Sequence, residues 1–137
     1  MKQVDELIRG EISAVESVSA VLKRIDDARE KSALEQMLKD HQRAVESLKR
    51  FAEPKFEAKA QTSGPWGALT TAFAGGASFF GDKAALKALK IGEQHGLNEY
   101  NEAMKDGSIN QEVRKLIQSE LVPNQERHLK MIDQYMQ

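Results

Sequence analysis

The sequence predicts an all-α fold: an antiparallel four-helix bundle whose second and third helices are joined by a long crossover containing a short helix. Three observations carry that reading. Four stretches repeat apolar residues at alternating steps of three and four, the period of a helix packed along a bundle seam. An uncharged, glycine-rich stretch in the middle is too long for an ordinary bundle turn. A chain of 137 residues with 40% apolar side chains can bury one core without disulfides or a structural metal, so residues 1–137 are read as a single domain.

The first helix follows Val4, Ile8, Glu11, Val15, Val18, Leu22 and Ile25, apolar at every position except Glu11. Asp26 to Lys31 reads as a turn, and Ser32 with Glu35 three residues on forms a capping box that starts the second helix. Its seam is Leu34, Leu38, His41, Val45 and Leu48, with Met37, Ala44 and Phe51 beside it, and Pro54 marks its end. The third helix starts near Asp82, an N-cap candidate, and follows Leu86, Leu89, Glu93, Gly96, Tyr100 and Ala103 to the stop at Lys105-Asp106-Gly107. The fourth starts at Ser108 with Gln111 in the capping-box position. Its seam is Val113, Ile117, Leu121, Asn124, His128, Met131 and Tyr135, and Pro123 should bend the chain just before His128.

Residues 60–81 carry no charge, hold five of the nine glycines and include Trp66, Phe73, Phe79 and Phe80. Only about 15 positions there are mostly apolar, short of the roughly 20 that a bilayer requires, so no transmembrane segment is expected. Trp66, Leu69, Phe73, Ala77 and Phe80 recur at helical spacing, which predicts a short helix packed on the bundle with Trp66 buried. The alternative is a surface that a second subunit covers.

Composition excludes several classes of function. With 20 basic against 21 acidic side chains there is no cationic surplus to neutralise phosphates, and no nucleic-acid partner is expected. The absence of cysteine excludes disulfides, thiolate zinc sites, iron–sulfur clusters and cysteine nucleophiles. The N-terminus runs into charged amphipathic sequence with no apolar signal core, which predicts a cytoplasmic protein. Neither a phosphate loop nor a Gly-x-Ser-x-Gly elbow is present, and no catalytic motif supports enzyme activity.

The candidate site consists of the polar residues that interrupt the seams. Glu11, His41, Glu93 and His128 stand where the pattern otherwise places apolar side chains, and a buried lone carboxylate or imidazolium is costly, so they should be partnered. Two histidines and two carboxylates can bind one divalent ion with mixed nitrogen and oxygen donors, suited to zinc, iron(II) or manganese. A hydrogen-bonded Glu–His layer that fixes helix register without metal explains the same residues. Tyr100, seven residues after Glu93 on the same face, can reach a seam carboxylate or serve as a core tyrosine, and His95 should face outward.

An internal repeat supports the pairing. Arg9-Gly10-Glu11 and Ile91-Gly92-Glu93 match on the first helix of each hairpin, and His41 and His128 sit on the second. Two hairpins so equipped and joined by a long crossover resemble ferritin-like carboxylate bundles. More closely, the chain resembles an uncharacterised bacterial family of small ferritin-like bundles. The segments that carry this are Leu7 to Glu16, Asp40-His41, Ser63 to Ala68, Ala88 to Gly96 with Glu99-Tyr100, and Leu121-Val122-Pro123 followed by His128. The resemblance implies a fold and no established activity. Better-known ferritin-like proteins carry Glu-x-x-His on each second helix, whereas Leu38 and Gln125 stand three residues before these histidines, so a di-iron centre is not expected.

Helix levels refine the expectation. A first turn centred near residue 29 leaves His41 about 9 Å from the level of Glu11, and makes Glu16 the reserve ligand; the second hairpin leaves His128 about 7.5 Å from the level of Glu93. The leading reading is a ferritin-like bundle that binds one divalent ion through Glu11, His41, Glu93 and His128 and forms a homodimer. The alternative is a metal-free, stress-associated interaction scaffold that associates through its apolar crossover.

Overall fold

The computed structural model describes residues 2–61, 66–67 and 82–136. The regular elements are helices, with no strand among the described residues: α1 (Lys2–Leu22), α2 (Ala28–Lys49), α3 (Asp82–Met104), and a fourth rod built of α4 (Gln111–Leu116), a π-helical turn (Ile117–Leu121) and α5 (Val122–Met136). α1 packs chiefly on α2, and α3 on α5. No described helix is long and apolar enough to cross a membrane. The proposed crossover stripe of Leu69, Phe73, Ala77 and Phe80, with Phe79, lies outside the described residues.

Two starts differ from expectation. α2 begins at Ala28, not at Ser32, because the Asp27 carboxylate accepts the backbone N–H groups of Arg29 and Glu30 at 3.0 Å each. An ionised N-cap also opposes the positive end of the helix dipole, which Ser32 inside the second turn cannot do. The fourth helix is capped by Asn110, whose side-chain oxygen accepts the Glu112 N–H at 2.7 Å. Ser108 instead binds Asp106 through its N–H and hydroxyl, closing the preceding turn. Arg114 secures that turn by donating to the carbonyls of Met104, the last residue of α3, and of Asp106 in the turn itself.

The expected seam of the fourth helix also shifts. Gln125 and Ile132 are buried where Asn124 and Met131 were expected. The π-helical turn, closed by the Val122 N–H on the Ile117 carbonyl, takes up one extra residue, and the buried seam then runs from Leu121 to Gln125, His128 and Ile132. Pro123 stands at the second position of α5, directly after this turn.

The core has two parts. One holds Val4, Ile8, Leu48, Tyr100, Val113 and Ile117, and the other Val18, Ile25, Leu34, Trp66, Leu89 and Ile132. α1 and the fourth rod run from the first part to the second, whereas α2 and α3 both run from the second to the first. The chain must therefore travel back along the bundle between α2 and α3. Its first half does so beside α1: the Glu53 N–H donates to Asp5 at 3.2 Å and the Gln61 N–H to the Ser13 hydroxyl at 2.7 Å. Trp66 then enters the second part of the core, 1% exposed, as the burial expectation required. Its ring lies against Gly92, where a Cβ would stand 2.4 Å from Cζ3, so this approach needs glycine.

Candidate functional site

On each rod the boundary between the two core parts is polar: Glu11 on α1, Asp40 and His41 on α2, Glu93 on α3, and Gln125 and His128 on α5. All four residues singled out from sequence are buried and meet there. His41 presents Nδ1 to Glu11 Oε2 at 2.5 Å and Nε2 to Glu93 Oε1 at 2.5 Å. His128 presents Nδ1 to the other Glu93 oxygen at 3.4 Å and Nε2 to Asp40 Oδ2 at 2.8 Å. The two imidazole centroids are 4.9 Å apart. His41, Glu93 and His128 each offer a donor atom within 4.8 Å of the others, forming a buried group that could hold a metal ion.

The levels explain why this layer closes. With Asp27 as the cap, the first turn centres near residue 25, so Glu11 lies opposite about residue 39, beside His41. Glu16, the reserve ligand, is exposed and takes no part. On the second hairpin the Gln125 amide donates to the Glu93 backbone carbonyl at 3.0 Å, packing α5 closely on α3, and the Glu93 side chain covers the remaining turn to His128.

Outer partners hold the layer at both ends. The buried Tyr100 hydroxyl donates to Glu11 Oε1. Asp40 accepts from Gln36 at 3.1 Å and from the half-exposed Arg127 at 3.3 Å. A polar chain thus runs from Tyr100 through Glu11, His41, Glu93, His128 and Asp40 to Arg127. Sequence reasoning assigned no role to Asp40, Gln125 or Arg127. Asp40 was visible in principle: it lies three residues after Met37 and four before Ala44, on their apolar stripe.

Electrostatics follow from burial and pairing. Burial opposes charge on His41, but the Glu93 and Glu11 carboxylates outweigh it and hold its pKa well above the usual histidine value. Burial likewise opposes ionisation of Glu93, yet the His41 charge and the hydrogen bonds of both histidines lower its pKa to about 2. The Asp40 pKa is also lowered: its burial is offset by His128, Gln36 and Arg127. Burial and the adjacent Glu11 raise Tyr100 well above the ordinary phenol, keeping it a proton donor. His95 faces outward as expected, with Nε2 3.4 Å from Glu99.

No family model matches the chain, and no curated protein or solved structure is significantly similar to it.

Proposed function

We propose that this protein is a ferritin-like bundle that binds one divalent metal ion through His41 Nε2, the Glu93 carboxylate and His128 Nδ1. The observation that carries the reading is the orientation of the two histidines. Each turns one ring nitrogen to the same carboxylate, Glu93, and the other to its own outer carboxylate, Glu11 or Asp40. Metal-bound imidazoles are typically held this way, since the outer acceptor fixes the tautomer and raises the basicity of the liganding nitrogen. Two imidazoles and one carboxylate suit zinc or iron(II) best, with manganese third. With the three carboxylates ionised, one divalent ion and Arg127 bring the cluster to neutrality. The course of the helices, with α2 and α3 running the same way, supports the ferritin-like reading, because such bundles contain one long crossover. Glu11, expected as a ligand, acts in this account through His41. The apolar composition of residues 60–81 supports association of two copies through the crossover.

A second reading has its own observation. Both nitrogens of His41 already lie 2.5 Å from carboxylates, so an imidazolium satisfies them without any ion. The layer would then set helix register. The test is metal content and melting temperature of tag-free protein with zinc, iron(II) or manganese. The metal reading expects about one retained ion per chain and stabilisation of about 2.7 kcal/mol at a hundredfold excess over Kd. No retained ion and no shift would leave the metal-free layer.

A further inference from the structure

The buried layer needs a path by which an ion arrives, and the face between α1 and α3 has the features of one. On the surface lies a groove of about 590 Å³ whose walls include Glu6, Glu99 and Glu102, with His95 the one basic side chain. Beneath it, a small cleft of about 10 Å³ touches Glu11, His41, Tyr100 and Trp66, room for about one water. Leu7 and Glu99 belong to both spaces, so they form the partition between the groove and the inner cleft.

Gly10 on α1 lets this partition pack closely: a Cβ there would stand 3.0 Å from Glu99 Oε1 and 3.3 Å from Gln61 Nε2. The Gln61 amide lies over Gly10 and bridges α1 and α3, donating to Glu99 at 3.1 Å and to the Glu6 carbonyl at 3.4 Å. Glu6 and Glu102 are paired on the surface with Arg9 and Lys105. Glu99 is turned inward, with His95 at 3.4 Å and Gln61 as its partners.

We infer that divalent ions reach the buried site through this groove, with Glu99 as a transit carboxylate at the partition and the Gln61 side chain as a plug that must swing aside. The inference rests on the metal reading of the site. Glu99 borders both spaces, so an ion passing from the groove toward Glu11 and His41 meets its carboxylate on the way. A carboxylate in such a constriction concentrates cations by focusing the local field. It acts on passage in both directions and leaves the final coordination alone.

The test is stopped-flow mixing of apo-protein with Co²⁺ alone, following Co²⁺ absorption, together with release into a chelator and Kd by equilibrium titration. Glu99→Gln should slow association and release together by at least about tenfold, with Kd within about threefold. Gly10→Ala, whose methyl presses on Glu99, should slow both in the same sense. Gln61→Ala should accelerate both with the urea midpoint unchanged, which separates an opened route from a loosened fold. Circular dichroism checks folding, and Glu99→Asp serves if the glutamine variant does not fold, with the expected slowing smaller. Unchanged rates in the Glu99 and Gln61 variants overturn the route while leaving the site intact. A Kd that weakens with release alone accelerated also overturns it, because Glu99 would then be part of the resting site. Failure of the wild-type protein to bind Co²⁺ at equilibrium overturns the route and the metal reading together.

Discussion

His41 and Glu93 stand 52 residues apart in the chain, and His41 Nε2 meets Glu93 Oε1 at 2.5 Å in the centre of the bundle. The contact joins the two hairpins at a layer where each helix changes from one half of the apolar core to the other. Glu93 is fully buried, so its charge depends on what the two histidines supply.

Replacing both histidines with leucine therefore leaves the Glu93 carboxylate without its ring partners. His41→Leu with His128→Leu should cost about 3–5 kcal/mol in urea unfolding, the usual loss when one side of a buried ion pair is removed. Adding Glu93→Leu should recover part of that loss, since it removes the most buried unpaired carboxylate while Glu11 keeps Tyr100 and Asp40 keeps Gln36 and Arg127. Metal uptake should be absent in both. A double variant as stable as the wild type would mean that the layer is hydrated.

In the metal-free protein, stability should fall on both sides of neutral pH. The folded pKa of Glu93, about 2 against 4.5 in the unfolded chain, makes its contribution complete above about 4.5 and lost as pH falls toward 2. Asp40, also lowered, adds to the same acid limb. His41 has the opposite sign: raised in the folded state, it stabilises fully below about 6.5, and that contribution is lost as pH climbs through its folded value. Urea midpoints measured across pH in the presence of a chelator check this. A flat profile from pH 3 to 9 would contradict the pairing.

Trp66 and Gly92 form one packing unit. Trp66→Ala should cost about 3–5 kcal/mol, as for other emptied aromatic sites. Gly92→Ala should cost about 1–3 kcal/mol by overpacking and shift tryptophan emission to longer wavelength as the ring is displaced. Wild-type emission typical of water, with both variants as stable as wild type, would contradict the burial.

The π-helical turn predicts an unusual tolerance. Gln118 is exposed within it, and deleting that residue should convert the turn to regular α-helix without rotating His128 out of the layer. The deletion variant should keep helicity and metal uptake. In a regular helix the same deletion turns everything beyond it by about 100°, so loss of uptake with retained helicity would contradict the register assignment.

The helices and the four site residues were legible in the sequence because apolar periodicity is strong and Glu11, His41, Glu93 and His128 break it. Other features were hidden by local competition. Asp27 and Ser32 are both plausible caps, and only the former places Glu11 level with His41. Gln125 was masked because an extra residue in a π turn leaves no periodic mark until the helix is packed. Asp40, adjacent to the stronger candidate His41, was given no role of its own, although its spacing from Met37 and Ala44 puts it on their apolar stripe. Trp66 could be predicted as buried, but its seat on Gly92 depends on two segments whose proximity no local pattern encodes.

X-ray absorption at the zinc edge of zinc-loaded protein reads the ligands of the bound ion. The account predicts one zinc per chain with two imidazole nitrogens at about 2.0–2.1 Å and carboxylate oxygen at about 2.0–2.2 Å, and loss of one imidazole from that shell in His128→Leu with Glu93 retained. Zinc that elutes on desalting, or a bound ion whose shell contains no imidazole, would contradict it.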